Sequence, residues 1–282
     1  MQSATQWLVD TDTLAKQLDA PDIIILDATF HLPGSGRDAA REFGESHIPG
    51  AVFFDIEEIS NSSSPLPHML PSPEKFSSRV RKMGIGDGMR VVVYDKTNMA
   101  GAARAWWMFR VMGFKDVAVL NGGFGKWQAE GRAVESGEPR HRTERHFTPR
   151  MNSVLVRDLS DVKRVLDSGA MQIVDARAAG RFAGTDPEPR PVSRRGHIPG
   201  AKNVPFTGLL NADGTMRSPG DIKAIFAASG IDSAKPVVAS CGSGVTACVI
   251  ALALATTGNE VAAVYDGSWA EWSEADTPVE TR

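Results

Sequence analysis

The stretch SCGSGVTACVIALALATTG, residues 240–258, holds both cysteines of the chain. Cys241 stands where a short β-branched run gives way to a glycine-rich loop and then to a helix-forming segment. A cysteine in that place faces unpaired backbone N–H groups and the positive end of a helix dipole, surroundings that favour a thiolate. Gly242 and Gly244 let the backbone turn successive amides inward, with Val245 and Thr246 completing the loop. The Ser243 and Thr246 hydroxyls add donors. Such a nest suits a thiolate, or a sulfur that carries a second sulfur.

Three rival chemistries are weaker. A cysteine hidden for packing alone is common, but a strand-to-helix loop with two glycines is an unusual place for one; that reading suits Cys248, further into the apolar helix. GSGVTA with Asp266 after the next apolar run imitates a dinucleotide fingerprint, yet few residues follow in which to build a second nucleotide-binding half. A cysteine phosphatase needs an arginine six positions after its nucleophile, and position 247 is alanine. The two cysteines would lie about 10 Å apart along one helix, too far for a disulfide.

The elements that must carry this loop occur twice. HIPGA appears at 47–51 and at 197–201, an offset of 150. IILDAT around Asp27 matches QIVDAR around Asp175, VVVYD matches VVASC, and LNGGFGKW matches YDGSWAEW, so the chain reads as a tandem duplication with small loop insertions. Short apolar runs alternate with helical segments stopped by glycine, which predicts two α/β domains, each with a central parallel sheet flanked by helices. The boundaries are expected at 1–136 for a non-catalytic half, 137–152 for an arginine-rich linker read as a solvated strap, and 153–282 for a catalytic half. Where the second copy has CGSGVTAC the first has DKTNMAGA, so only one copy offers a nucleophile at the carboxyl end of a strand.

Composition narrows the partners. A net charge of -3 and a pI near 6.1 argue against a nucleic-acid partner. The longest apolar run is too short to span a bilayer, and no secretory signal is evident at the start, so a cytoplasmic protein is expected. No feature demands a dimer, and a monomer is expected.

Taken together, HIPGA in both halves, VFFDIEEIS, SPLPHMLP, RAWWMFRVMG, LNGGFGKW, GRFAGTDPEPRP and YDGSWAEW resemble the tandem-domain rhodanese family of sulfurtransferases. The loop CGSGVT looks like the 3-mercaptopyruvate branch; the thiosulfate branch has basic residues right after its cysteine. The resemblance implies two rhodanese-like domains and a Cys241 persulfide. It implies that Arg181 and Arg190 hold the donor's carboxylate and keto group, and that Ser243, His68 and an acidic residue form a proton relay. At the acidic position this chain has Glu57 where the family pattern has Asp. The implied reaction takes sulfur from 3-mercaptopyruvate to a thiophilic acceptor, cyanide or a thiol such as reduced thioredoxin, with release of pyruvate and without metal or organic cofactor. Thiosulfate as donor, and a persulfide carrier serving one protein partner, are the alternatives.

Overall fold

The computed structural model describes residues 6–139 and 141–281. The chain divides into two compact units, each built on a five-stranded parallel sheet. In the first, β1 (Leu8–Val9), β2 (Ile23–Asp27), β3 (Val52–Phe53), β4 (Arg90–Tyr94) and β5 (Val117–Leu120) run in the order β1-β5-β4-β2-β3. In the second, β6 (Val156–Arg157), β7 (Gln172–Asp175), β8 (Lys202–Asn203), β9 (Val237–Ser240) and β10 (Ala263–Tyr265) take the same positions, β6-β10-β9-β7-β8. The central strands β2, β4 and β9 are almost wholly buried, as expected for sheets covered on both faces.

Each sheet is backed by one almost wholly buried helix, the second apolar all round and the first interrupted only by Arg104 and Arg110, whose guanidiniums lie over the Trp107 and Trp106 rings. The first is Ala100–Val111, with Trp106, Trp107 and Phe109 fully buried, and the second is Ala247–Thr256, in which every residue is buried. A helix with no polar face has to lie inside the protein. Each buried Ile250, Leu252 or Leu254 side chain contributes roughly 1.5–3 kcal/mol. That burial anchors the N-terminal end of the helix and hence the loop 241–246 that leads into it.

The two HIPGA motifs prove structural. His47 stacks on Phe43, with ring centroids 4.1 Å apart, and its Nδ1 lies 2.8 Å from the Phe43 carbonyl oxygen. His197 stacks on Phe182 at 3.7 Å with Nδ1 2.9 Å from that residue's carbonyl oxygen. This makes Phe43 the counterpart of Phe182, and it corrects the expectation that the loop insertions are small. Three residues separate Phe43 from His47, whereas fourteen separate Phe182 from His197. The first half compensates with a longer segment between β2 and its Phe43 helix, so the overall offset hides both changes. The eleven extra residues of the second half include Glu188 and Arg190.

The segment expected as a solvated strap is partly core. Phe147 is buried against Phe76 and Phe114 in the first unit, and Arg142 donates to the Gly50 carbonyl oxygen at 2.9 Å. One aromatic residue among the arginines is enough to pin the segment down. No helix among the described residues is long and apolar enough to cross a membrane.

Candidate active site

The loop after β9 lies in the second unit, and Cys241 at its head is buried. Gly244 adopts a φ of 76°, the left-handed turn that folds the loop back over the helix N-terminus. Two carbonyl groups of the loop are tied to the next helix: Trp269 N–H donates to Cys241 O at 3.0 Å, and Ala270 N–H donates to Gly242 O at 2.9 Å. These two carbonyls are thus held on one side, and peptide planarity turns the amides that follow them, of Gly242 and Ser243, to the other. Cys248 is a buried thiol donating to Gly244 O at 3.2 Å, which fits a structural cysteine.

Ser268, in the repeated segment YDGSWAEW, completes this clamp. Its hydroxyl oxygen accepts from the N–H groups of Cys241 and Gly244, both at 3.1 Å, donates to Tyr265 O at 2.8 Å, and lies 4.0 Å from Cys241 Sγ. Ser268 is fully buried with a φ of 51°, a conformation that costs a non-glycine residue on the order of 1 kcal/mol or more. The first half has Gly123 there, with a φ of 56°. A serine in a glycine's backbone position was the signal available in the sequence.

Arg181 reaches the loop from the short helix Ala179–Phe182. Its Nη2 lies where it would be 2.7 Å from a Cβ at position 242, so Gly242 is the residue that admits the guanidinium. Arg181 is held by Glu188, whose Oε2 accepts from Nε at 3.0 Å and also from Nη2. The other Glu188 oxygen accepts from Arg177 Nη1 at 2.7 Å. Arg177 is itself fully buried, bonded to Asp175 at 2.7 Å and stacked over Trp269 at 4.7 Å. Burial pulls its guanidinium down, but the Asp175 and Glu188 carboxylates outweigh this and hold its pKa above the ordinary value. Glu188 is therefore the bridge between a buried cation and the one beside the loop. It sat unnoticed inside the PEPR motif because the long insertion that carries it has no counterpart in the first half.

His68 lies in the segment 63–69, which precedes 136 in the chain yet belongs to the second compact unit. Its Nδ1 is 2.9 Å from Ser243 Oγ, and its Nε2 is 3.1 Å from Arg190 Nη2. The ring is buried and its backbone takes a φ of 58°. Three of the expected residues thus meet within hydrogen-bonding distance on one side of the loop. Glu57 lies exposed on the helix Ile56–Ile59 of the first unit, its N–H donating to Asp55 Oδ1 at 2.9 Å. Val245 is buried under the loop, and Thr246 begins the helix without a side-chain cap bond.

Comparison with known proteins fits this geometry. Residues 10–130 and 158–275 match the rhodanese-like domain family. The 3-mercaptopyruvate sulfurtransferase of Escherichia coli (strain K12) is 45% identical over 98% of this chain and 99% of its own length. The Homo sapiens 3-mercaptopyruvate sulfurtransferase is 42% identical over 94% of this chain and 91% of its own. A thiosulfate sulfurtransferase of Rattus norvegicus is 44% identical over 99% of this chain and 93% of its own. The crystal structure of a 3-mercaptopyruvate sulfotransferase from Escherichia coli has a TM-score of 0.86 at 43% identity, covering 94% of this chain and 99% of that one. Relatives named for two different donors are equally similar, so the donor has to be read from the loop and its surroundings.

Proposed function

The chain belongs to the rhodanese-like domain family, and from that premise we propose that it is a sulfurtransferase that takes sulfur from 3-mercaptopyruvate through a persulfide on Cys241. The observation that carries the donor choice is the Arg181 guanidinium resting against Gly242, beside a loop with no basic residue of its own. A small dianion such as thiosulfate is best met by cations within the loop. A carboxylate set back from its sulfur is best met by a guanidinium at the rim, where bidentate pairing also fixes orientation. Glu188 favours the same choice, because its carboxylate beside Arg181 offsets part of that cation's charge. That balance suits a monoanion.

In the first half-reaction the Cys241 sulfur attacks the donor's sulfur. The Sγ–S bond forms, the S–C bond breaks, and the electron pair passes to carbon as the enolate of pyruvate. The proton of the donor's thiol ends on that carbon, and the negative charge of the nucleophile passes to the outer sulfur, which the loop amides hold. Arg181 takes the carboxylate. A guanidinium has five N–H donors, so Arg190 can serve both a keto oxygen and His68. In the second half-reaction a nucleophile, cyanide or a thiol, attacks the outer sulfur and restores Cys241. Every step is a two-electron displacement at sulfur, which needs no electron carrier. A thiol such as reduced thioredoxin is the proposed acceptor, and Glu57 remains a proposed third member of the relay.

The test is a paired assay with cyanide as acceptor, comparing 3-mercaptopyruvate with thiosulfate. The expected result is a preference for 3-mercaptopyruvate of at least about 100-fold in kcat/KM, the scale of one charge-assisted bidentate contact. Faster turnover of thiosulfate would overturn the donor assignment. Turnover of neither would favour a persulfide carrier for a protein partner.

A further inference from the structure

Arg181 is gripped along one edge. Its Nε and Nη2 both donate to Glu188 Oε2, while Nη1 and the second Nη2 hydrogen have no partner among the described residues. A guanidinium held side-on in this way presents its other edge, Nη1 with Nη2, as a fork for a carboxylate. Nη2 belongs to both edges, and it is the atom that lies against Gly242. Glu188 Oε2 is there too, 3.8 Å from where a Cβ at 242 would stand. The ion pair abuts the loop as a unit.

A closed ring of contacts within the second unit fixes that pair. Trp269 N–H holds Cys241 O, the Trp269 ring stacks on Arg177, Arg177 Nη1 donates to Glu188 Oε1, Glu188 Oε2 takes Arg181, and Arg181 returns to the loop at Gly242. The ring runs from the interior outward, since the side chains of Arg177, Glu188 and Arg181 are 0%, 5% and 23% exposed. Its inner end is immobile, because Arg177 also donates to Asp175 and to the Gly196 carbonyl oxygen, both at 2.7 Å. Glu188 stands between Pro187 and Pro189, which restrict its backbone. The segment leading to it is tied to the Arg181 helix, as Thr185 and Asp186 N–H both donate to Gly180 O, at 2.9 and 3.0 Å. The first half has Thr29 in the place of Arg177, its hydroxyl turned to Asp27, so it cannot start such a ring.

We infer that Glu188 is a positioning residue for the donor: by tying the Nε–Nη2 edge of Arg181 to buried Arg177, it aims the Nη1–Nη2 edge so that a carboxylate is held at one fixed spacing from the Cys241 sulfur. This rests on the reading of Arg181 as the holder of the donor's carboxylate. Charge alone would work the other way, because a carboxylate beside Arg181 weakens its pull on any anion. The gain is in orientation.

The experiment compares the rates at which 3-bromopyruvate and bromoacetone, its analogue without the carboxylate, alkylate Cys241 in the full-length protein. In both, sulfur bonds to carbon as bromide leaves, and the adduct is mapped to Cys241 by mass. The ratio of the two rates reads carboxylate recognition without any sulfur transfer. It is expected to fall at least about tenfold in Glu188→Asp, which keeps the charge but is one methylene too short to bridge both cations at these distances, and likewise in Glu188→Gln. Gly242→Ala should lower it too: both charges stay, the backbone at 242 lies outside the left-handed region, and the added methyl displaces Nη2. A ratio unchanged in Glu188→Asp, or raised in Glu188→Gln, would reduce Glu188 to a counter-charge and overturn the proposal. Equal loss of both rates would show a merely structural role and overturn it as well. Arg181→Met separates the two readings. A fall there without a fall in the Glu188 variants sinks this inference alone, whereas no fall in Arg181→Met removes the carboxylate reading and the inference with it.

Discussion

After β4, in the first half of the chain, the turn closes on a carboxylate of its own, while the same turn after β9 carries a sulfur. Asp95 occupies the position of Cys241 and accepts N–H bonds from Thr97 at 3.0 Å, Met99 at 3.1 Å and Ala102 at 3.0 Å. The corresponding amides of the second half belong to Ser243, Val245 and Cys248. Phe124 N–H donates to Asp95 O at 2.9 Å, just as Trp269 N–H donates to Cys241 O. One backbone design therefore builds an anion nest twice. In the first half the acceptor is a permanent side chain, whose carboxyl pKa burial pushes up against the opposing pull of its amide donors; in the second the position is given to an atom that can gain and lose sulfur.

The rims differ as much as the centres. Where Arg181 precedes Phe182, Glu42 precedes Phe43 and is held by Arg37 at 2.7 Å and His31 at 3.0 Å. Burial pushes the Glu42 carboxyl up, but Arg37 and His31 outweigh it and keep it below its ordinary range. An anionic donor would thus meet a cation beside the second nest, whereas the equivalent position in the first half carries a carboxylate. The first half has Gly123 for Ser268 and lacks the insertion that brings Glu188 and Arg190. Duplication kept the nest and rebuilt everything that would load it.

The largest expected effect tests whether the nest alone suffices. Cys241→Ser should lose roughly 10^3-fold or more of turnover, and adding Asp95→Cys to that variant should restore none of it, measured as thiocyanate formed from 3-mercaptopyruvate. Recovery in the double variant would mean that the rim is dispensable. Next, Arg181→Met should lower kcat/KM about 100-fold, mostly through KM, by removing a charge-assisted pair; an unchanged KM would place the donor's carboxylate elsewhere.

Emptying the first nest should be a matter of stability. Asp95→Ala leaves three amides, two of them buried, without their acceptor, a loss of about 1–3 kcal/mol or more, visible in the denaturation midpoint, with turnover per folded molecule unchanged. A large fall in kcat would refute the division of labour between the halves. The smallest effect is expected for Ser268→Gly, which makes the second clamp resemble the first. The backbone angle suits glycine, so folding should be kept, and persulfide loading should slow about tenfold as two loop amides lose their acceptor. Loading at the original rate would reduce Ser268 to packing.

The duplicated sheets were legible because the inner strands are short, largely apolar runs bounded by turn residues and repeated at a nearly constant spacing, whereas an edge strand such as Lys202–Asn203 carries no such signal. The position of Cys241 was legible because the two copies differ at one strand end. Glu188 was harder to find, since compensating length changes before Phe182 and after it leave the overall offset nearly constant. Ser268 was masked by the likeness of DGSW to NGGF, which suggested a shared turn and concealed the substitution of a hydroxyl for a hydrogen. The partners of His68 depend on which compact unit the segment 63–69 joins, a tertiary choice that no local pattern records. Phe147 shows the same limit, because an arginine-rich composition outweighed the one aromatic that fixes the segment.

The most direct test of the central claim, that the second nest holds sulfur as an anion on Cys241, is the mass of the intact protein after treatment with 3-mercaptopyruvate in the absence of acceptor. The account predicts a gain of one sulfur atom per chain, mapped by fragmentation to Cys241, removed by cyanide and absent from Cys241→Ser. No gain in mass, or a sulfur carried on Cys248, would contradict it.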